Sequence, residues 1–206
     1  MTSHQPTILG ITGGIACGKS EAGRILTEEG FEVLDTDLLA HEVMKAGTAV
    51  FDRVVEQFGK SVLGSDGEID RTQLGAIVFD YPPARKALNW LVHPAVIDAT
   101  EEWVAARRAT GSEAAALVPL LFEIGWTQGW DAVVCVAAGE DVVFQRLEKR
   151  GLDGTEARKR IAAQMPLAEK KNRADFIIEN NGSLDALHRE ILNLLKRIRN
   201  ERNDDE

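Results

Sequence analysis

The sequence predicts an α/β protein in which a five-stranded parallel sheet lies between helical layers. Three observations carry this: a strand, a glycine-rich turn and a helix open the chain; short apolar runs then alternate with amphipathic stretches; and one long helical interruption follows the second run. With 206 residues, the chain suits one substantial α/β domain with insertions.

Residues 7–12 are short, β-branched and apolar, as a strand buried on both faces requires. Gly13-Gly14-Ile15-Ala16-Cys17-Gly18-Lys19-Ser20 follows and matches the phosphate-gripping pattern G-x-x-x-x-G-K-[ST]. Residues 20–29 carry Ala22, Ile25 and Leu26 at helical spacing, closed by Gly30 as C-cap. Glycines let N–H groups turn inward around an anion, and the helix starting near Lys19 adds the positive end of its dipole. Lys19 then reaches the outer phosphates of a polyphosphate, and the Ser20 hydroxyl holds a magnesium ion bridging two of them. The plainer alternative is a glycine-rich turn with a surface lysine. The motif in this setting makes the fold P-loop NTPase-like, a three-layer α/β/α arrangement.

Residues 31–34 form the second strand, ending in Asp35-Thr36-Asp37, carboxylates at the strand end where open α/β sheets bind ligands. Residues 38–45 and 50–58 read as helices, 59–71 as turn-rich, and Pro82-Pro83 and His93-Pro94 divide the helical stretches beyond. Residues 38–108 are thus expected to form a helical acceptor-holding region within a single domain. The sheet resumes at 114–121, with Glu123 just past its end, and again at 132–137. Asp141 is expected to cap or open a helix that carries Val142, Val143, Phe144 and Leu147 toward Arg150. A basic helical pair with its break at Pro166 makes 139–173 a lid. Residues 176–178 are the fifth strand. The last helix, 184–199, has Leu184, Leu187, Ile191, Leu194, Leu195 and Ile198 as its core face, with 200–206 a frayed polar tail. The nucleotide-binding core is then 7–37, 109–138 and 174–199.

A formal net charge of -9 argues against nucleic acid as the main partner, because phosphate backbones are held by clustered Lys and Arg. No run reaches the eighteen or so apolar residues of a membrane span, and residues 1–6 lack a basic start with an apolar segment. A soluble cytoplasmic protein is expected, its oligomeric state open with a monomer favoured. Cys17 and Cys135 are too few for a disulfide framework and lack metal-ligand spacing. Cys17 at a helix start invites a reactive-thiol reading, but a small residue tolerated in a tight loop explains it more simply.

Phosphate binding alone does not separate a switch, a motor and a kinase. Guanine-specific switches need N-K-x-D, and Asn172-Arg173-Ala174-Asp175 has arginine where lysine belongs. A strand-tracking motor would need a basic channel. A small kinase, with its helical acceptor region and basic lid, fits the order of elements. Phosphoryl transfer requires positioning, charge neutralisation and a carboxylate beside the attacking hydroxyl. Asp37 is the candidate for that carboxylate, with Asp35 acting through magnesium or water; the competing role for Asp37 is helix capping.

Several stretches narrow the choice: 12–20, Asp35-Thr36-Asp37 with Ala40-His41, Phe58-Gly59, Asp66-Gly67-Glu68-Ile69-Asp70-Arg71, Val78-Phe79, Leu91-Val92-His93-Pro94, Val118-Pro119-Leu120-Leu121-Phe122-Glu123, Ala163-Gln164-Met165, and Ala174-Asp175 with Asn181-Gly182. Together they resemble the dephospho-CoA kinase family over nearly the whole chain. The resemblance implies ATP-dependent phosphorylation of the ribose 3′-hydroxyl of dephospho-CoA, the last step to coenzyme A. It also implies Asp37 as catalytic aspartate beside Asp35, and ATP contacts at Gly14, Ile15, Ala16, Cys17, Gly18, Lys19, Ser20 and Glu21. Arg150 becomes the lid arginine, Asn181 and Gly182 the adenine end, and His41, Arg71, His93 and Glu123 the acceptor side. The plainer roles are structural histidines, an Arg71 paired with Asp66 or Asp70, and a Glu123 at the core rim. The family usually has Gly-Ser at Ala16-Cys17 and Thr at Glu21. The loop therefore requires Ala16 at negative φ, and Glu21 turned outward or paired with a cation. A nucleoside or nucleotide kinase and a non-catalytic ATP-binding module are the alternative functions.

Overall fold

The computed structural model describes residues 6–204, so the expectations for residues 1–5 and 205–206 lie outside it. The chain divides into two compact units, one formed by the chain up to Leu34 and from Ala106 onward, the other by Asp35–Ala105.

The sheet comprises β1 (Ile8–Gly13), β2 (Glu32–Asp35), β3 (Ala114–Leu117), β4 (Ala132–Ala137) and β5 (Phe176–Glu179), in the order β2-β3-β1-β4-β5. β1 pairs in parallel with β3 and β4, and β4 with β5. Every residue of β1, β3 and β4 is buried, which their uncharged sequences allow. The apolar run expected to be one strand over 114–121 yields only four strand residues. Val118 N–H still donates to Ile11 at 2.8 Å, but Pro119 has no N–H with which to continue. Two carboxylates pin the strand starts: Asp131 accepts from Ile8 N–H and Asp175 from Val133 N–H, each at 2.7 Å.

α1 (Lys19–Glu28) ends where expected, at Gly30 with φ +91°; Gly30 N–H bonds Thr27 and Phe31 N–H bonds Leu26. α9 (Leu184–Asp204) packs against α1 and β5 through Leu187, Ile191, Leu194, Leu195 and Ile198. Leu184 is exposed, contrary to its expected place in the core, because it starts the helix ahead of the covered surface. The supposed frayed tail continues the helix to Asp204. Residues 139–173 hold α6 (Glu140–Lys149), α7 (Gly154–Ala162) and α8 (Leu167–Arg173) and belong to the same unit as the sheet. Gly139 is the cap residue of α6 and Asp141 stands in its first turn, as the opening role required, while Asp153 caps α7.

The second unit contains α2 (Thr36–Glu42), α3 (Ala49–Phe58), a 3-10 turn at Lys60–Val62, α4 (Arg71–Asp80) and most of α5 (Pro82–Thr110). Its own core gathers Val50, Val54, Val62, Leu74, Leu91, Val92 and Val96. Pro82 begins α5 as expected, but His93-Pro94 does not divide it: the helix runs 29 residues with Pro94 inside. Proline removes one i→i−4 bond, and the apolar stripe of Leu91, Val92 and Val96 on either side of it is buried, so packing outweighs that loss.

Candidate active site

The glycine-rich segment leaves the central strand β1 and enters α1, so the parallel sheet fixes one end and a helix start the other. Lys19 Nζ donates back to the carbonyls of Gly13 at 3.1 Å and Gly14 at 2.9 Å, which holds the ammonium over the loop. Gly18 has φ +102°, and a Cβ there would collide with the Asn180 side-chain amide, so glycine is required twice over.

Three side chains absent from the sequence-based site brace this loop. Gln164 Oε1 accepts from Ile15 N–H at 3.0 Å. Arg146 donates to the carbonyls of Ala16 at 3.1 Å and Cys17 at 3.3 Å, and through its other nitrogen to the Asn180 carbonyl at 3.0 Å. Asn180 is buried and donates its amide to Cys17 at 2.9 Å. In a trans peptide the N–H points away from the C=O. Bonds to the Cys17 carbonyl therefore fix the peptide that also carries the Gly18 N–H. Their signal in the sequence was proximity: Arg146 lies one helical turn before Arg150, Asn180 immediately before Asn181-Gly182, and Gln164 within Ala163-Gln164-Met165.

Ala16 overturns one expectation. Its φ is +56°, the one positive value among non-glycine residues described. The loop takes the left-handed turn that glycine makes freely, and alanine fills it at a steric cost. Glu21 meets its condition, since its carboxylate lies 2.6 Å from Arg24 on the same helix. Cys17 is 1% exposed, and burial pushes its thiol pKa up against the opposing pull of Lys19 and Arg146, so it is a packed small residue. Ser20 stands exposed in the first turn of α1.

Asn181 accepts from Gly139 N–H at 2.6 Å and so ties the chain after β5 to the start of α6, with Gly182 following. Arg150 is the exposed C-cap of α6; the arginine of this helix that touches the loop is Arg146. Glu123 pairs with Lys170 at 2.7 Å and accepts from Met165 N–H at 3.0 Å. Asp175, from the stretch compared with N-K-x-D, is the strand pin described above.

In the second unit, Asp35 rather than Asp37 caps α2: its Oδ1 accepts from Asp37 N–H at 2.9 Å and Leu38 N–H at 3.4 Å. Asp37 stands exposed in the first turn, its carboxylate not the cap. His41 follows one turn later, half-buried. Burial and then the Arg71 charge lower its pKa, while Asp37 and Asp35 oppose them, so these four groups share one electrostatic neighbourhood. Arg71 opens α4 behind Asp70, whose carboxylate takes the N–H groups of Thr72 and Gln73 and the Gln73 side-chain amide. His93 lies on α5, and burial alone lowers its pKa.

The dephospho-CoA kinase family model matches residues 7–186. A dephospho-CoA kinase from Geobacillus kaustophilus is 43% identical over 193 residues, covering 91% of this chain and 94% of that protein. One from Arabidopsis thaliana is 39% identical, covering 93% and 84%. The crystal structure of TT1252 from Thermus thermophilus superposes with a TM-score of 0.78 at 36% identity, covering 94% of this chain and 98% of that one. Dephospho-CoA kinase from Campylobacter jejuni superposes at 0.71 with 27% identity, covering 93% and 96%. The family match across most of the chain, with relatives near 40% identity and equal reach, places this protein in the dephospho-CoA kinase family.

Proposed function

We propose that this protein transfers the terminal phosphoryl group of ATP to the ribose 3′-hydroxyl of dephospho-CoA, releasing coenzyme A and ADP. The observation that carries the reading is family membership over residues 7–186 together with a phosphate loop held in shape by side chains of its own unit. The N–H of Gly18, the first N–H groups of α1 and Lys19 take up the polyphosphate. Asp37 accepts the proton of the 3′-hydroxyl as its oxygen bonds to the terminal phosphorus. The bond from that phosphorus to the bridging oxygen breaks, and the electron pair leaves with ADP.

Among the described residues, no three His, Cys, Asp or Glu side chains converge on a metal position. A magnesium ion carried by the polyphosphate would be held from the protein by Ser20 Oγ, because Mg²⁺ commonly keeps few protein ligands beside substrate phosphates. Bound there, it would neutralise charge on the phosphate oxygens. Asp35 fixes the start of α2 and with it Asp37. His41, Arg71 and His93 serve the acceptor, Arg150 the transferring group, and Asn181 with Gly182 the adenine end. No described helix is long and apolar enough to cross a membrane.

Magnesium-dependent ADP release, measured with dephospho-CoA, AMP, dTMP, adenosine and shikimate in turn, tests this. Release with dephospho-CoA alone, and a product one phosphate heavier, is expected. Release only with another acceptor replaces the substrate, and bound but unconsumed ATP across the panel leaves a non-catalytic module.

A further inference from the structure

Lys170 on α8 is fully buried. An ammonium stays in such a place only when paired and hydrogen-bonded. Its Nζ donates to the Pro119 carbonyl at 2.7 Å and lies 2.7 Å from Glu123 Oε1. The same carboxylate oxygen accepts from Met165 N–H at 3.0 Å. One residue earlier, Gln164 accepts from Ile15 N–H in the phosphate loop. A continuous polar line therefore runs from a buried charge through a carboxylate and the α7–α8 turn to the loop.

Apolar contacts accompany this line: Ile15, Ile161 and Leu167 pack against the same buried cluster. A cavity of about 390 Å³ lies beside the turn and the loop, lined among others by Gly14, Ile15, Cys17, Ile161, Gln164 and Leu167. Gln164 also takes a loop N–H that then cannot turn toward a different partner. We infer that Lys170 and Glu123 are positioning residues for nucleotide binding: they hold the Gln164–Met165 turn so that Gln164 fixes Ile15 and the loop keeps its phosphate-binding shape. This rests on the reading of the loop as an ATP site.

The test is ATP affinity by titration calorimetry, with Tm followed for every variant. Gln164→Ala and Glu123→Gln are each expected to weaken ATP binding about tenfold, the loss of one hydrogen bond to a group away from water. The double variant is expected to bind no more weakly than the weaker single, because both act along one line. Lys170→Arg keeps the charge and is expected to retain affinity within about twofold, whereas Lys170→Met is not. Folded variants whose Tm falls while ATP affinity stays within about twofold overturn the inference and leave a stability role. So does a double variant whose losses multiply. Where Glu123→Gln does not fold, Glu123→Asp keeps the charge and draws it away from Met165, and the same threshold applies. Binding is read without an acceptor, so wild-type protein that binds ATP but leaves dephospho-CoA untouched overturns the substrate reading alone.

Discussion

The Asn180 side chain donates to the Cys17 carbonyl at 2.9 Å across 163 positions of sequence. Removing it in Asn180→Ala leaves a buried carbonyl with only the longer bond from Arg146 and opens space beside Gly18. The expected cost is about 1–3 kcal/mol of stability, read by urea denaturation. A change below about 0.5 kcal/mol would mean that water or Arg146 replaces the bond at no cost.

Ala16→Gly should stabilise the protein. An L-residue in the left-handed region costs roughly 1–2 kcal/mol, while glycine loosens the unfolded chain by about 0.4–1 kcal/mol, so the relief exceeds the penalty. A gain of about 0.5–1 kcal/mol in the same denaturation measurement is expected. A loss would show that the turn is strain-free for alanine.

Lys19→Ala and Asp37→Asn separate binding from chemistry. The lysine variant should bind ATP poorly, because its ammonium lies over the loop. The asparagine variant should bind ATP normally and lose about a hundredfold or more in kcat. Near-normal turnover in Asp37→Asn would assign the proton to another group.

Acidification should destabilise the fold through His93. Burial lowers its folded pKa below the ordinary 6.5, so the unfolded chain binds the proton more readily. The stability from its neutral form is complete above pH 6.5 and is lost as pH falls from there through the folded value. His93→Gln should therefore lose less Tm than wild type between pH 7.5 and pH 5. An equal or steeper loss would place the pH dependence elsewhere.

The phosphate loop, the five strands and the helical middle of the chain were legible because each depends on local pattern: glycine spacing, apolar runs, amphipathic period. What the sequence hid was non-local. Asp35 and Asp37 both stand at a helix start, and only the backbone geometry shows that Asp35 is the cap. Pro94 reads as a break until the buried stripe around it is seen. Lys170 looks like one more charge on a basic helix, and no periodicity reveals that a carboxylate 47 positions earlier, on Glu123, keeps it inside. The roles of Arg146, Asn180 and Gln164 were not readable, even for Gln164 inside a recognised stretch, since the partners are main-chain atoms that any residue supplies.

The bend at Ala16 shows that the eight-residue motif does not carry its own shape. Glycine would adopt that turn unaided; alanine adopts it because Arg146, Gln164 and Asn180 grip the neighbouring peptides from 130 to 163 positions away. The motif is a pliable ribbon and its surroundings are the mould. Transplanted into another scaffold without those three side chains, the same eight residues would lose the outside grip on the Ile15, Ala16 and Cys17 peptides.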